Sequence, residues 1–135
     1  MVPSEDAILT NLRRGALEYC VLAAIADGEG YGFDIARRLS ADGLLLNGEG
    51  TLYPLLSRLR KSEYVSSAWK ESTSGPPRRY YELTPDGERA LAEFARLWRP
   101  FRNAVDSALD GDVTDTADRP LSSVDFKGEG QRPPR

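Results

Sequence analysis

At residue 64 the apolar pattern of this 135-residue chain changes period. Before it, in GTLYPLLSRLRK (50–61), Leu52, Leu55, Leu56 and Leu59 recur at i, i+3, i+4 and i+7, the spacing of one buried helical face. After it, YVSSAWKE (64–71) and RRYYEL (78–83) carry aromatic and alternating residues that read as two strands. STSGPP (72–77), polar and rich in Gly and Pro, supplies the turn between them. A helix that runs straight into a β-hairpin, with further helical segments on either side, restricts the fold to a mostly α domain with a small hairpin.

The flanking segments fill in that order. A first helix is expected from Glu5 to Ala26, ended by DGEG (27–30), and a short second one from Tyr31 to Ser40 with Ile35, Ala36 and Leu39 inward. ADGLLLNGEG (41–50) reads as a connection whose apolar middle forms a brief extended piece. The third helix, about 49–62, has Asn47 as its candidate N-cap. Pro54 removes a backbone donor, so either the regular helix begins near Thr51 or its first turns are distorted. Thr84 caps a last helix that opens with Pro85, Asp86 and Glu88, where the helix dipole favours acids. Pro100 is expected to kink or divide that helix near residue 98. Helix, helix, helix, hairpin, helix is the order of a winged helix-turn-helix.

Composition narrows the chemistry. With no histidine, a Cys/His metal site and a Ser-His-Asp triad are excluded, and no catalytic residue, metal or cofactor is expected. The single cysteine, Cys20, forms no internal disulfide, no apolar run approaches the roughly 20 residues of a membrane span, and MVPSEDAILTNLRRG lacks a secretory pattern. A cytoplasmic protein without membrane contact is expected. The net charge of −3 hides an asymmetry: residues 50–80 hold six basic groups against two acidic ones, leaving the rest of the chain at −7. A local basic patch decides where a polyanion docks.

Burying the four leucines turns Thr51, Tyr53, Pro54, Ser57, Arg58 and Lys61 outward. Arg58 could fork onto a guanine edge, while Thr51, Ser57 and Tyr53 could bond phosphates or bases. The hairpin has a basic tip, Lys70 before the turn and Arg78 and Arg79 after it, placed to reach backbone phosphates. The plain alternative is a solvated polar face on a surface helix. The basic hairpin beside it, and the absence of acids from this arc of an acidic chain, put double-stranded DNA as the partner on equal terms with that alternative.

The ordered pieces RRGALEYCVLAAI, GYGFDIARRL, GTLYPLLSRLRKSEYV and PPRRYYELTPDGERAL resemble the PadR family of bacterial transcriptional regulators over roughly residues 12–95. The resemblance implies a homodimeric repressor, paired through the last helix and often the first, on a palindromic operator. It adds Tyr19, Tyr31 and Gly32 to the DNA-binding set, although Tyr31 can equally be a packed aromatic closing its turn. Two departures stand out. Glu63 replaces the glycine usual after the recognition helix, where a left-handed residue would be strained by ~1 kcal/mol, and Pro100 interrupts a short last helix.

Phe94, Trp98 and Phe101 put one aromatic on each turn of the last helix. They read as dimer packing, or, with Trp98 at the matching position of multidrug-sensing relatives, as a site for a small aromatic effector. The expected organisation is a DNA-binding domain at 1–83, a dimerisation helix at 84–109 and a disordered tail at 110–135. The competing function is a winged helix used only for protein–protein contact.

Overall fold

The computed structural model describes residues 2–73 and 75–111. Its elements are α1 (Glu5–Arg14), α2 (Leu17–Ala26), α3 (Gly32–Leu39), α4 (Leu52–Lys61), β1 (Val65–Ser72), β2 (Gly75–Leu83) and α5 (Pro85–Leu109). The single first helix expected from the sequence is two. Gly15, costly inside a helix by about 1 kcal/mol, caps α1, and Ala16 starts α2 by accepting from the amides of Tyr19 and Cys20. The break separates helices of opposite character. α2 buries Val21, Leu22, Ala24 and Ile25, whereas α1 buries nothing and is held at its start by Ser4, whose Oγ accepts from the Ala7 amide at 3.1 Å.

The connection after α3 is a run of turns rather than an extended piece. Gly43 (φ 76°) and Gly48 (φ 96°) take left-handed conformations that break any strand, while Leu46 is buried in the core and Leu45 packs against it. α4 then begins at Leu52 rather than residue 49, the first of the two alternatives that Pro54 allowed. Asn47 is not its cap: Thr51 holds that position, and the Leu52 amide donates to Glu49 O at 3.0 Å. Pro54 is therefore the third residue of the helix, among the amides that have no intrahelical acceptor in any helix, and it needs no distortion.

α4 ends in a left-handed cap. Glu63 sits at φ 66°, the Glu63 amide donates to Arg60 O and the Tyr64 amide to Leu59 O, both at 3.0 Å. These are the paired bonds of a Schellman turn. The exit keeps the geometry that suits glycine, and a glutamate occupies it.

The hairpin pairs Val65 with Leu83, Trp69 with Arg79 and Lys70 with Arg78, then shifts register between Lys70 and Ser72. β1 is shifted by one residue from the expected 64–71, and β2 reaches further than the sequence indicated. Gly75, Pro76 and Pro77 belong to β2, an extension that proline permits where a strand edge is open. Near its base β2 gains a neighbour on the other side: the Tyr81 amide donates to Gly30 O at 2.7 Å, and Tyr31 bridges to Tyr80.

Thr84 joins the end of the hairpin to the exit of α4. Its hydroxyl donates to Glu63 O at 2.6 Å and accepts from the Gly87 amide at 3.0 Å. Gly87 must be glycine, because a Cβ there would lie 2.0 Å from Tyr64 O. α5 runs unbroken through Pro100, contrary to the expected division. A proline costs a 25-residue helix one internal hydrogen bond, and the rest of the helix sustains the turn.

The chain separates into two compact units, with the boundary between Ala92 and Glu93 inside α5. The first unit holds the core, built on Leu22, Ile35, Leu46, Leu52, Leu56, Leu59, Val65 and Tyr81. The second is described as the remainder of α5 with Asp110 and Gly111; the tail expected at 110–135 lies, from residue 112 on, outside the described residues. Among the described residues no helix is long and apolar enough to cross a membrane.

Replacing Glu63 by glycine is expected to raise unfolding stability by about 1 kcal/mol, by relieving the left-handed side-chain clash. Urea denaturation measures it, and a lower midpoint for Glu63→Gly would contradict the strained cap.

Candidate nucleic-acid interface

With Leu52, Leu55, Leu56 and Leu59 buried, the opposite arc of α4 is fixed. Thr51, Tyr53, Pro54, Arg58 and Lys61 are exposed and Ser57 is half-buried. The arc has two flanks. Thr51, Pro54 and Arg58 line a groove shared with the α1–α2 junction, while Tyr53 leans the other way, over the start of α3.

Tyr53 rests on Gly32. A Cβ at Gly32 would come 2.7–3.1 Å from the Tyr53 ring and hydroxyl, so the missing side chain is what admits the tyrosine. Gly32 is itself buried beneath the Tyr53 ring. Burial pushes the Tyr53 phenol above its ordinary value of 10.0, Glu49 and Tyr81 add to the rise, and Arg78 opposes it. Arg78 is thereby within electrostatic reach of Tyr53. Tyr80 repeats the arrangement one step away. Its ring covers Gly30, where a Cβ would be 2.0 Å from a ring carbon, and meets Tyr31 edge-on at 4.9 Å and 75°. Lys70 Nζ sits 3.9 Å from the centre of the Tyr80 ring, a cation–π contact. Tyr31 closes its turn as a packed aromatic while remaining half-exposed. Tyr31, Tyr53, Lys70 and Arg78 thus form one aromatic and cationic surface beside α4.

Arg79 does not share that placement. Successive strand residues point to opposite faces, so the two adjacent arginines diverge. Arg79 stacks on Trp69 with its guanidinium 4.8 Å from the ring centre, and Nη1 donates to Ser67 Oγ at 2.8 Å. It lines a separate cleft with Arg60, Glu63 and Arg89. The basic tip inferred from the sequence is therefore two one-sided features. Tyr19 is half-buried and packs on the core.

Arg14 and Asn47 were not legible as part of this surface. They line the groove of Thr51 and Arg58, although Arg14 lies far upstream of the basic 50–80 segment. The only signal was the Arg13–Arg14 pair, which reads equally as a helix-end charge. Its two members differ: Arg13 Nε donates to Leu44 O at 2.7 Å and Nη2 to Gly43 O at 2.9 Å, tying α1 to the loop before α4.

Within the second unit, Phe94 and Trp98 stack at 5.7 Å and 17°, and Trp98 meets Phe101 at 6.4 Å and 38°. Leu97, Trp98, Phe101, Val105 and Leu109 are all exposed, an apolar stripe of the kind that marks an interaction surface. Burial pushes the Cys20 thiol up, away from reactive thiolate chemistry. Among the described residues no three Cys, Asp or Glu side chains converge to hold a metal ion.

Residues 21–93 match the model of the transcriptional regulator PadR-like family. A crystal structure of a PadR-like transcriptional regulator from Bacillus cereus is similar to this chain at 34% identity and a TM-score of 0.68, covering 76% of this chain and 99% of its own. A PadR-like transcription factor from Bacteroides fragilis is similar at 39% identity and a TM-score of 0.61, covering 76% and 98%. A PadR family regulator from Clostridium difficile is similar at 26% identity and a TM-score of 0.62, covering 69% and 97%.

Because the folded chain keeps the Tyr53 proton above pH 10.0 and the unfolded chain does not, this group's contribution to stability is present below that pH and is lost as pH rises through the folded value. Gly32→Ala forces the ring off its seat, and the Tyr53 phenol is expected to titrate closer to its ordinary value. Alkaline absorbance titration, with Tyr53→Phe identifying the phase, checks this; an unmoved Tyr53 phase would contradict the packing.

Proposed function

The chain belongs to the PadR-like family of transcriptional regulators, and on that footing we propose that it is a cytoplasmic repressor that binds a palindromic operator as a homodimer. One observation carries the DNA-facing part: the leucine face of α4 is buried in full, which leaves Thr51, Tyr53, Pro54, Ser57 and Arg58 as an outward arc with Lys70 and Arg78 beside it. α4 enters the major groove with Arg58 toward base edges, while Tyr31, Lys61, Lys70 and Arg78 serve phosphates. A binding regulator needs no catalytic group or cofactor. The exposed stripe on α5 supports the homodimer, since two copies would cover each other's Leu97, Trp98 and Phe101.

A second role for that stripe is favoured by the near-parallel stacking of Phe94 and Trp98, which offers flat faces to a planar aromatic effector. Planar cationic dyes are expected to quench tryptophan emission in the full chain but not in Trp98→Phe. No spectral change up to the solubility limit removes the effector.

The DNA reading separates from a protein–protein module by two variants. Arg78→Ala should weaken binding to all duplexes alike and lower the slope of log K against log salt by about 0.9. Arg58→Ala should relax discrimination at particular base pairs, by about 1–3 kcal/mol at each. If both bind every duplex as the parent does, the DNA face lies elsewhere.

A further inference from the structure

The groove beside α4 holds charges that base reading and wing contacts do not account for. One wall is the last turn of α1 and the first turn of α2, with Arg14 and Glu18; the other is Asn47, Thr51 and Arg58. Arg13 is already engaged with the Gly43 and Leu44 carbonyls, and that tie holds the end of α1 against the loop that leads into α4. Arg14, the next residue, is exposed. Arg58 Nη2 lies 4.0 Å from Glu18 Oε1, with both side chains in contact with water, so this ion pair is weak and restrains Arg58 little. Besides the engaged Arg13, the groove therefore presents two guanidinium groups, two hydroxyls (Thr10 and Thr51) and one amide against a single carboxylate. It is also continuous with the recognition arc, because Thr51 and Arg58 belong to both.

We propose that this groove seats a DNA backbone phosphate flanking the bases under α4, with Arg14 as its cationic contact and Glu18 as an opposing charge that limits the strength of the seat. The inference rests on α4 facing DNA. It extends the interface to an arginine near the chain's start, and it gives α1 a function although that helix buries none of its residues. Arg14 would contact a phosphate and no base, so its contribution is the same for every duplex sequence. Glu18 repels the same phosphate, so neutralising it acts in the opposite direction.

The test is equilibrium binding of the full chain to an operator duplex and an unrelated duplex over a salt series. Arg14→Ala is expected to weaken both by the same factor, roughly three- to tenfold, and to lower the salt slope by about 0.9. Arg14→Lys should restore the slope, and Glu18→Gln should strengthen binding to both duplexes. Opposite signs for the two neutralising variants exclude a general loss of folded protein. If Arg14→Ala lowers only thermal stability, or keeps the parent salt slope while Arg78→Ala loses its increment, this inference fails alone. If the parent chain binds neither duplex, the DNA reading falls and this inference with it.

Discussion

Four leucines on one side of α4 decide what every other part of the surface can do. Leu52, Leu55, Leu56 and Leu59 are each at most 5% exposed, and burying a side chain of this kind contributes about 1.5–3 kcal/mol. A roll of the helix by one residue would lift part of that face out of the core. The orientation of Tyr53, Ser57 and Arg58 is therefore set by apolar burial, with no polar contact needed to aim them. The outward arc of α4 is the complement of the core.

Both ends of α4 are then held by backbone chemistry. At the entry, Arg13 fixes the preceding loop through two carbonyls, and Pro54 sits where a missing amide costs nothing. At the exit, the Schellman turn through Glu63 hands the chain to β1, and Thr84 bonds back to Glu63 O while capping α5. Gly87 lets α5 start against the Tyr64 carbonyl. One short stretch thus joins the exit of α4, the hairpin and the first turn of α5. The Tyr53–Gly32 and Tyr80–Gly30 contacts brace the other side, where an aromatic ring lies on each glycine.

Periodicity made the element order from α3 onward, the α4 core face and the Thr84 cap legible in the sequence, because each rests on side chains close in sequence. What could not be read depends on partners far apart. The break at Gly15 follows from α2 being buried and α1 not, a contrast of packing. The start of α4 shifted because Glu49 O, and not the Asn47 side chain, receives its first amide. Arg79 parted from Arg78 through strand alternation, which a count of charges ignores although the residue order contained it. Arg14 joined the surface only through the fold, from the opposite end of the domain. Glu63 is the reverse case: its sequence argued against a left-handed exit, and the paired backbone bonds of the turn outweigh that local cost.

Selection of bound duplexes from a random pool bears most directly on the central claim, that α4 reads DNA from each of two symmetry-related copies. An enriched palindrome, with two half-sites whose base preferences relax in Arg58→Ala, is the expected result. A pool that yields no enriched sequence, or a single asymmetric site indifferent to Arg58, would contradict it.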